Sequence, residues 1–160
     1  MIVREIMKHN VVSARLEMTV LEAAKLMIQK KVGTLPITDE ENVLIGILTI
    51  NDILDVFIPD YFELIKNMQF VHDFGALEDF LPKDMPEVAG VTLQTLMEAP
   101  ISIRETDSIL RAATKIFRRE LIDLPVVNDE NKLVGLVSHV DVGTKFLQKW
   151  IEGRGYRSND

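Results

Sequence analysis

The sequence predicts an α/β (α+β) protein made of two copies of one small unit, each running strand, helix, strand, strand, helix. Three observations predict it. First, the stretch Gly46-Ile47-Leu48-Thr49-Ile50-Asn51-Asp52 returns as Gly135-Leu136-Val137-Ser138-His139-Val140-Asp141, every position displaced by the same 89 residues. The offset also relates Ala23-Ala24 to Ala112-Ala113, Leu35-Pro36 to Leu124-Pro125, and Asn42-x-Leu44 to Asn131-x-Leu133, and a constant offset over such a span is an internal repeat. Second, each copy carries apolar residues at the 3.6-residue helical period. Third, each carries two short apolar runs separated by a polar turn, the signature of paired strands.

In the first copy, Ile2 to Met7 form a short amphipathic lead and Val11-Val12-Ser13 read as a strand. Thr19 and Glu22 have the spacing of a capping box, the hydroxyl and the carboxylate each satisfying a free N–H of the first turn. The helix behind them places Val20, Ala23, Ala24, Met27 and Ile28 on one face, and Gly33 punctuates the turn after it. Leu35 to Thr38 read as a strand whose Pro36, lacking an N–H, belongs at a strand start or a sheet edge. Asp39 to Asn42 form a polar turn, Val43 to Leu48 a buried strand, and Thr49 opens a helix to about Phe57.

The second copy repeats this order. Thr92 to Met97 are its lead, and Ile101-Ser102-Ile103 its first strand. A helix follows with Ile109, Ala112, Ala113, Ile116 and Phe117 facing inward. Leu124 to Val127 and Leu133 to Val137 are the paired strands, and the last helix runs from Ser138 toward Trp150. The expected organisation is repeat 1 at 1–58, an acidic, aromatic helical insertion at 59–90, repeat 2 at 91–151 and a flexible tail at 152–160. The insertion holds four of the seven phenylalanines, a composition foreign to a flexible spacer, and is expected to pack on a second subunit.

Composition narrows the function. In 160 residues, 47% are hydrophobic and 27% charged, enough apolar material for a core. The net charge is −7, of which residues 55–90 contribute −6, and no basic stripe suits a nucleic-acid backbone. There are no cysteines, hence no disulfides or thiolate metal sites. No apolar run approaches the ~20 residues a membrane span needs, and no secretion leader opens the sequence, so a cytoplasmic protein is expected. Asp73-Phe74-Gly75 spells a kinase metal motif without the other kinase signatures, and His9, His72 and His139 lack metal-ligand spacing. Neither an enzyme's catalytic set nor a metal site is expected.

The tandem motifs, taken together, resemble a pair of cystathionine β-synthase (CBS) domains, over about residues 1–58 and 90–150. The resemblance implies two β-α-β-β-α repeats packed with pseudo-two-fold symmetry, with clefts that take adenosine-containing ligands: AMP, ADP, ATP, S-adenosylmethionine or NAD(H). The residue chemistry suits this. Asp52 and Asp141 can each accept both hydroxyls of a ribose. Thr49 and Ser138 stand where a helix N-terminus favours a phosphate, and Gly46 and Gly135 would let a ligand approach the backbone. The competing reading is a plain N-cap with an acid in the first turn.

By the same resemblance, one cleft would combine Thr49, Asn51 and Asp52 with Ile101 and Leu121. The other would combine Ser138, Val140 and Asp141 with Val12 and Val32, and His139, which follows Ser138 on the first helical turn, would offer a partial counter-charge. The residues before each Leu-Pro, Gly33-Thr34 and Ile122-Asp123, would face the phosphates. None of these four is basic, and Asp123 would repel a triphosphate, so the Ser138/Asp141 site is expected to prefer a less negative ligand. No cofactor is required in this reading. It describes a regulatory homodimer that binds an adenosyl ligand and passes its state to an unidentified protein, with no nucleic acid or membrane involved. The rival is a structural dimerisation or adaptor module.

Overall fold

The computed structural model describes residues 1–57, 90–119 and 121–153. After a 3₁₀ turn at Val3–Glu5 come α1 (Val20–Lys30), β1 (Thr34–Thr38), β2 (Leu44–Thr49) and α2 (Ile50–Phe57). Then follow α3 (Leu93–Leu96), β3 (Ile103–Arg104), α4 (Ile109–Arg118), β4 (Asp123–Val127), β5 (Leu133–Ser138) and α5 (His139–Gly153). Sheets and helices are mixed, as the sequence predicts. The insertion expected at 59–90, except Gly90, and the tail from residue 154 lie outside the described residues. Glu152 and Gly153, assigned to the tail by sequence, close α5. No helix among the described residues is long and apolar enough to cross a membrane.

The chain divides into two compact units. One comprises Val12–Ile37 and Gly46–Ala99, the other Met1–Val11, Thr38–Ile45 and Pro100–Asp160. Each unit gathers the main helices of one repeat with the lead segment of the other.

In the first of these units α1 begins as the sequence predicts. The Thr19 hydroxyl accepts from the Glu22 N–H at 3.3 Å, and the Glu22 carboxylate accepts from the Thr19 N–H at 2.8 Å. Val20, Ala23 and Met27 are buried, but Ile28 is 78% exposed. Eight residues past Val20 is about 80° around the helix, at the rim of the buried stripe. Phe117, its counterpart in α4, is 61% exposed for the same reason. The left-handed residue ending α1 is Lys31 (φ 54°), so the turn does not rely on Gly33. β1 and β2 pair as a two-stranded sheet, and Leu93 of α3 is fully buried.

In the other unit, β3-β4-β5 form a sheet with β3 parallel and β5 antiparallel to β4. The core joins Val3 and Met7 of the lead to Ile109, Ala112 and Ile116 of α4, Leu124 and Val126 of β4, Val137 of β5 and Val142 of α5. The polar turns of both hairpins meet here. Leu44 N–H donates to Asn131 O at 3.0 Å and Leu133 N–H to Asn42 O at 2.9 Å, with both asparagines left-handed. This reciprocal pair explains why Asn-x-Leu recurs.

The first strands of both repeats are shorter and later than expected. Val11-Val12-Ser13 form none, only Ala14 bridging to Ile37, and the second copy starts at Ile103, opposite Val126. Both pairings begin one residue past a proline. Leu136, opposite Pro125, gives its N–H and carbonyl to Lys8, so the Pro125 nitrogen faces the β3 side, where it has no hydrogen to donate. Pro125 therefore sits within the central strand, and the missing rung sets where β3 can start.

Candidate functional site

The two Ser/Thr-x-x-Asp turns fold alike. Asp52 Oδ2 accepts from the Thr49 N–H at 2.6 Å and from the Thr49 hydroxyl at 2.8 Å. Asp141 Oδ2 accepts from the Ser138 N–H at 2.9 Å and from the Ser138 hydroxyl at 2.7 Å. The hydroxyl oxygens accept in turn from the Asp52 and Asp141 N–H groups at 3.4 and 3.1 Å. These are capping boxes built with aspartate, so the local part of the competing reading holds. Yet each box consumes only Oδ2, and Oδ1 of either carboxylate takes no hydrogen bond among the described residues. Both aspartates are partly exposed, so those oxygens can accept from a ligand hydroxyl.

The predicted residues divide between the two units. Val12, Val32, Gly33, Thr34, Thr49, Asn51 and Asp52 lie in one, and Ile101, Leu121, Ile122, Asp123, Ser138, His139, Val140 and Asp141 in the other. In the first, Ile50 N–H donates to Gly33 O at 2.9 Å, tying the end of β2 to the turn before β1. Val32, Gly33 and Ile50 also line an apolar groove of about 480 Å³ with Ile28 and Ile53, a size that suits a small ligand. Thr34 is buried, Val12 half-buried and Asn51 exposed.

In the second unit, His139 N–H donates to Ile122 O at 2.9 Å, and its Nδ1 stands 3.2 Å from the same oxygen. Asp123 lies directly opposite Ser138 in the β4–β5 ladder. Ile122 and Val140 are exposed, whereas Ile101 and Leu121 pack on the core of this unit.

The glycines have another task than the sequence reading assigned. A Cβ on Gly46 would lie 2.5 Å from Met97 Sδ, and one on Gly135 2.6 Å from Met7 Sδ. The close approach that the structure shows here is that of a methionine of the lead.

A cation that the sequence reading missed stands at the Ser138 turn. Lys8 pairs with Leu136 through reciprocal backbone hydrogen bonds of 2.8 and 2.9 Å, and its Nζ lies 3.8 Å from Asp141 Oδ2. Nothing local in the sequence links residue 8 to residue 141. Only the docking of the lead on β5 brings them together.

The family model for the CBS domain matches residues 3–59 and 93–143. The chain belongs to the CBS domain family. Each match contains one capped Ser/Thr-x-x-Asp turn, so the paired sites are the equivalent turns of two CBS repeats. Among characterised relatives, the L-aspartate semialdehyde sulfurtransferase of Methanocaldococcus jannaschii is 24% identical over 91% of this chain and 23% of its own. The chain spans between about a quarter and a third of the length of the relatives it matches first. Among solved structures, CBSX2 in complex with AMP superposes with a TM-score of 0.69 at 24% identity, covering 93% of this chain and 98% of that one. The CBS domain pair of protein MJ0100, in complex with 5′-methylthioadenosine and S-adenosyl-L-methionine, gives 0.66 at 23% identity, covering 93% and 98%. At these identities the likeness establishes the CBS-pair fold.

Proposed function

We propose that this protein is a regulatory CBS pair that binds adenosine-containing ligands at the Thr49/Asp52 and Ser138/Asp141 turns. The observation that carries the reading is the paired carboxylates. Both are fixed in orientation through Oδ2, and among the described residues nothing bonds to Oδ1, which leaves it for a ribose hydroxyl. The Thr49 and Ser138 hydroxyls already donate to the aspartates, so a phosphate at the same place would be held by the positive helix end and by the first-turn N–H groups that the cap leaves over, those of Asn51 in α2 and Val140 in α5. The shared fold supports it, since CBSX2 and the MJ0100 pair are solved with AMP and with adenosyl sulfur compounds.

The work done is binding, with no bond made or broken. A ligand held more tightly in one arrangement of the protein than another shifts the balance between them, and a partner reads the shift. The reading includes a homodimer. Each unit exposes apolar helix residues, Ile28 and Ile50 in one, Leu110, Phe117 and Phe146 in the other, beyond what a lone surface needs.

Calorimetric titration of AMP, ATP, S-adenosylmethionine and NADH tests the proposal, with Asp52→Asn and Asp141→Asn alongside. Asparagine keeps an acceptor for the cap but turns an amide N–H group, rather than the carboxylate Oδ1, toward the ribose hydroxyls. Saturable binding by one of these ligands, weakened in one variant at unchanged melting temperature, is the expected result. No heat and no thermal shift with any of the four would favour the adaptor reading.

A further inference from the structure

The two turns are alike in the atoms that hold them, but the lead residues bridged beside them carry charges of opposite sign. In one unit Lys8 forms the bridge to Leu136, the residue after Gly135. In the other Glu98 forms the bridge to Ile47, the residue after Gly46, through reciprocal hydrogen bonds of 3.2 and 3.1 Å. Leu136 and Ile47 are equivalent by the 89-residue offset, so Lys8 and Glu98 occupy the same backbone station next to their respective turns. Both stations are fixed by the methionine before them, Met7 over Gly135 and Met97 over Gly46.

Lys8 reaches to 3.8 Å from Asp141 Oδ2 while its side chain stays 64% exposed, so its ammonium is still open to a ligand anion. Glu98 is exposed, and among the described residues its carboxylate takes no hydrogen bond or ion pair. Near the Ser138 turn Asp123 adds a negative charge opposite Ser138, so Lys8 stands among two carboxylates and a chain of three phosphates is repelled there more than a single one.

Resting on the proposed adenosyl-ligand reading, we infer that the repeats discriminate ligands by charge. The Ser138/Asp141 site takes an adenosine ligand bearing a single phosphate, with Lys8 as its counter-charge. The Thr49/Asp52 site, with Glu98 at the same station, takes an uncharged or cationic adenosyl ligand such as a thioether or sulfonium. Lys8 and Glu98 are specificity residues. Neither is needed for the capped turns themselves.

The test is titration of AMP and S-adenosylmethionine into the full chain and into Lys8→Gln, Lys8→Arg, Glu98→Gln, Asp141→Asn and Asp52→Asn. A charge-assisted contact to phosphate predicts that Lys8→Gln weakens AMP about tenfold, while Lys8→Arg retains it. The loss shrinks as salt is raised, because the pair is exposed. Glu98→Gln weakens S-adenosylmethionine and spares AMP. AMP binding that is unmoved in Lys8→Gln yet lost in Asp141→Asn would overturn this inference and leave the proposed function standing. AMP lost in Asp52→Asn but kept in Asp141→Asn would likewise reverse the assignment. No binding of either ligand to the unmodified protein would overturn both.

Discussion

The aspartates at 52 and 141 hold a turn together and present an oxygen outward, and these roles separate by substitution. Removing the side chain removes two hydrogen bonds from the first turn of the helix that follows. Asp141→Ala is therefore expected to cost on the order of 1 kcal/mol without any ligand present, as cap losses do. Asp141→Asn is expected to cost much less, and urea midpoints at matched slope measure both. Protonation gives a second handle. The Arg4 guanidinium, bonded to Glu105 at 2.8 Å, holds that carboxyl below the ordinary carboxylate range. Thr19, through its N–H and then its hydroxyl, does the same for Glu22. A carboxyl whose folded value is depressed stabilises the fold above its ordinary range and loses that contribution as pH falls through the lowered value. Glu105→Gln and Glu22→Gln should thus be less stable than the parent at pH 7. The difference should close as the solution is acidified below the usual carboxylate range, a comparison of denaturation curves at the two pH values.

The leads decide how the strands are finished. Met7 and Met97 lie over Gly135 and Gly46, and each is followed by a residue that bridges to the strand beside that glycine. Adding a methyl group there forces the thioether aside. Gly135→Ala is the costlier change, since its Cβ would also come within 3.1 Å of the Lys8 carbonyl, which cannot swing away. Overpacking of this kind costs about 1–3 kcal/mol. Gly46→Ala should fall at the lower end, and Met7→Ala should relieve part of the Gly135→Ala loss in a double-mutant cycle read by denaturant unfolding. The helix, strand, strand, helix order was readable at this scale from periodicity, the capping box and the polar turns. The first strands lie later than the apolar runs predict, because a ladder that starts beside a proline starts late. The inner helix faces are one residue narrower than the period predicts, at Ile28 and Phe117, because a periodic count does not tell a buried stripe from its rim.

At the scale of the molecule, the exposed apolar helix faces and the ligand sites answer to different measurements. In the homodimer reading, Phe117→Lys and Ile28→Lys reduce self-association in light scattering while leaving the fold intact, since both side chains are already largely exposed. A mass that stays the same in both variants would remove these faces from the interface. A ligand that binds only the folded chain raises its melting temperature with concentration, about 2.7 kcal/mol at a hundred times its dissociation constant. AMP should therefore shift the transition of the parent protein more than that of Lys8→Gln.

The sequence by itself determined the repeat, the helix, strand, strand, helix order within each copy and the capped Ser/Thr-x-x-Asp turns, because these depend on residues within a few positions of each other. It also carried both aspartates, since their chemistry is local. Only the tertiary structure decided what stands over Gly46 and Gly135 and which charge stands beside each turn. Lys8 reaches Asp141 across more than a hundred residues of chain. That meeting depends on where a lead segment docks, and no spacing or period along the chain records it.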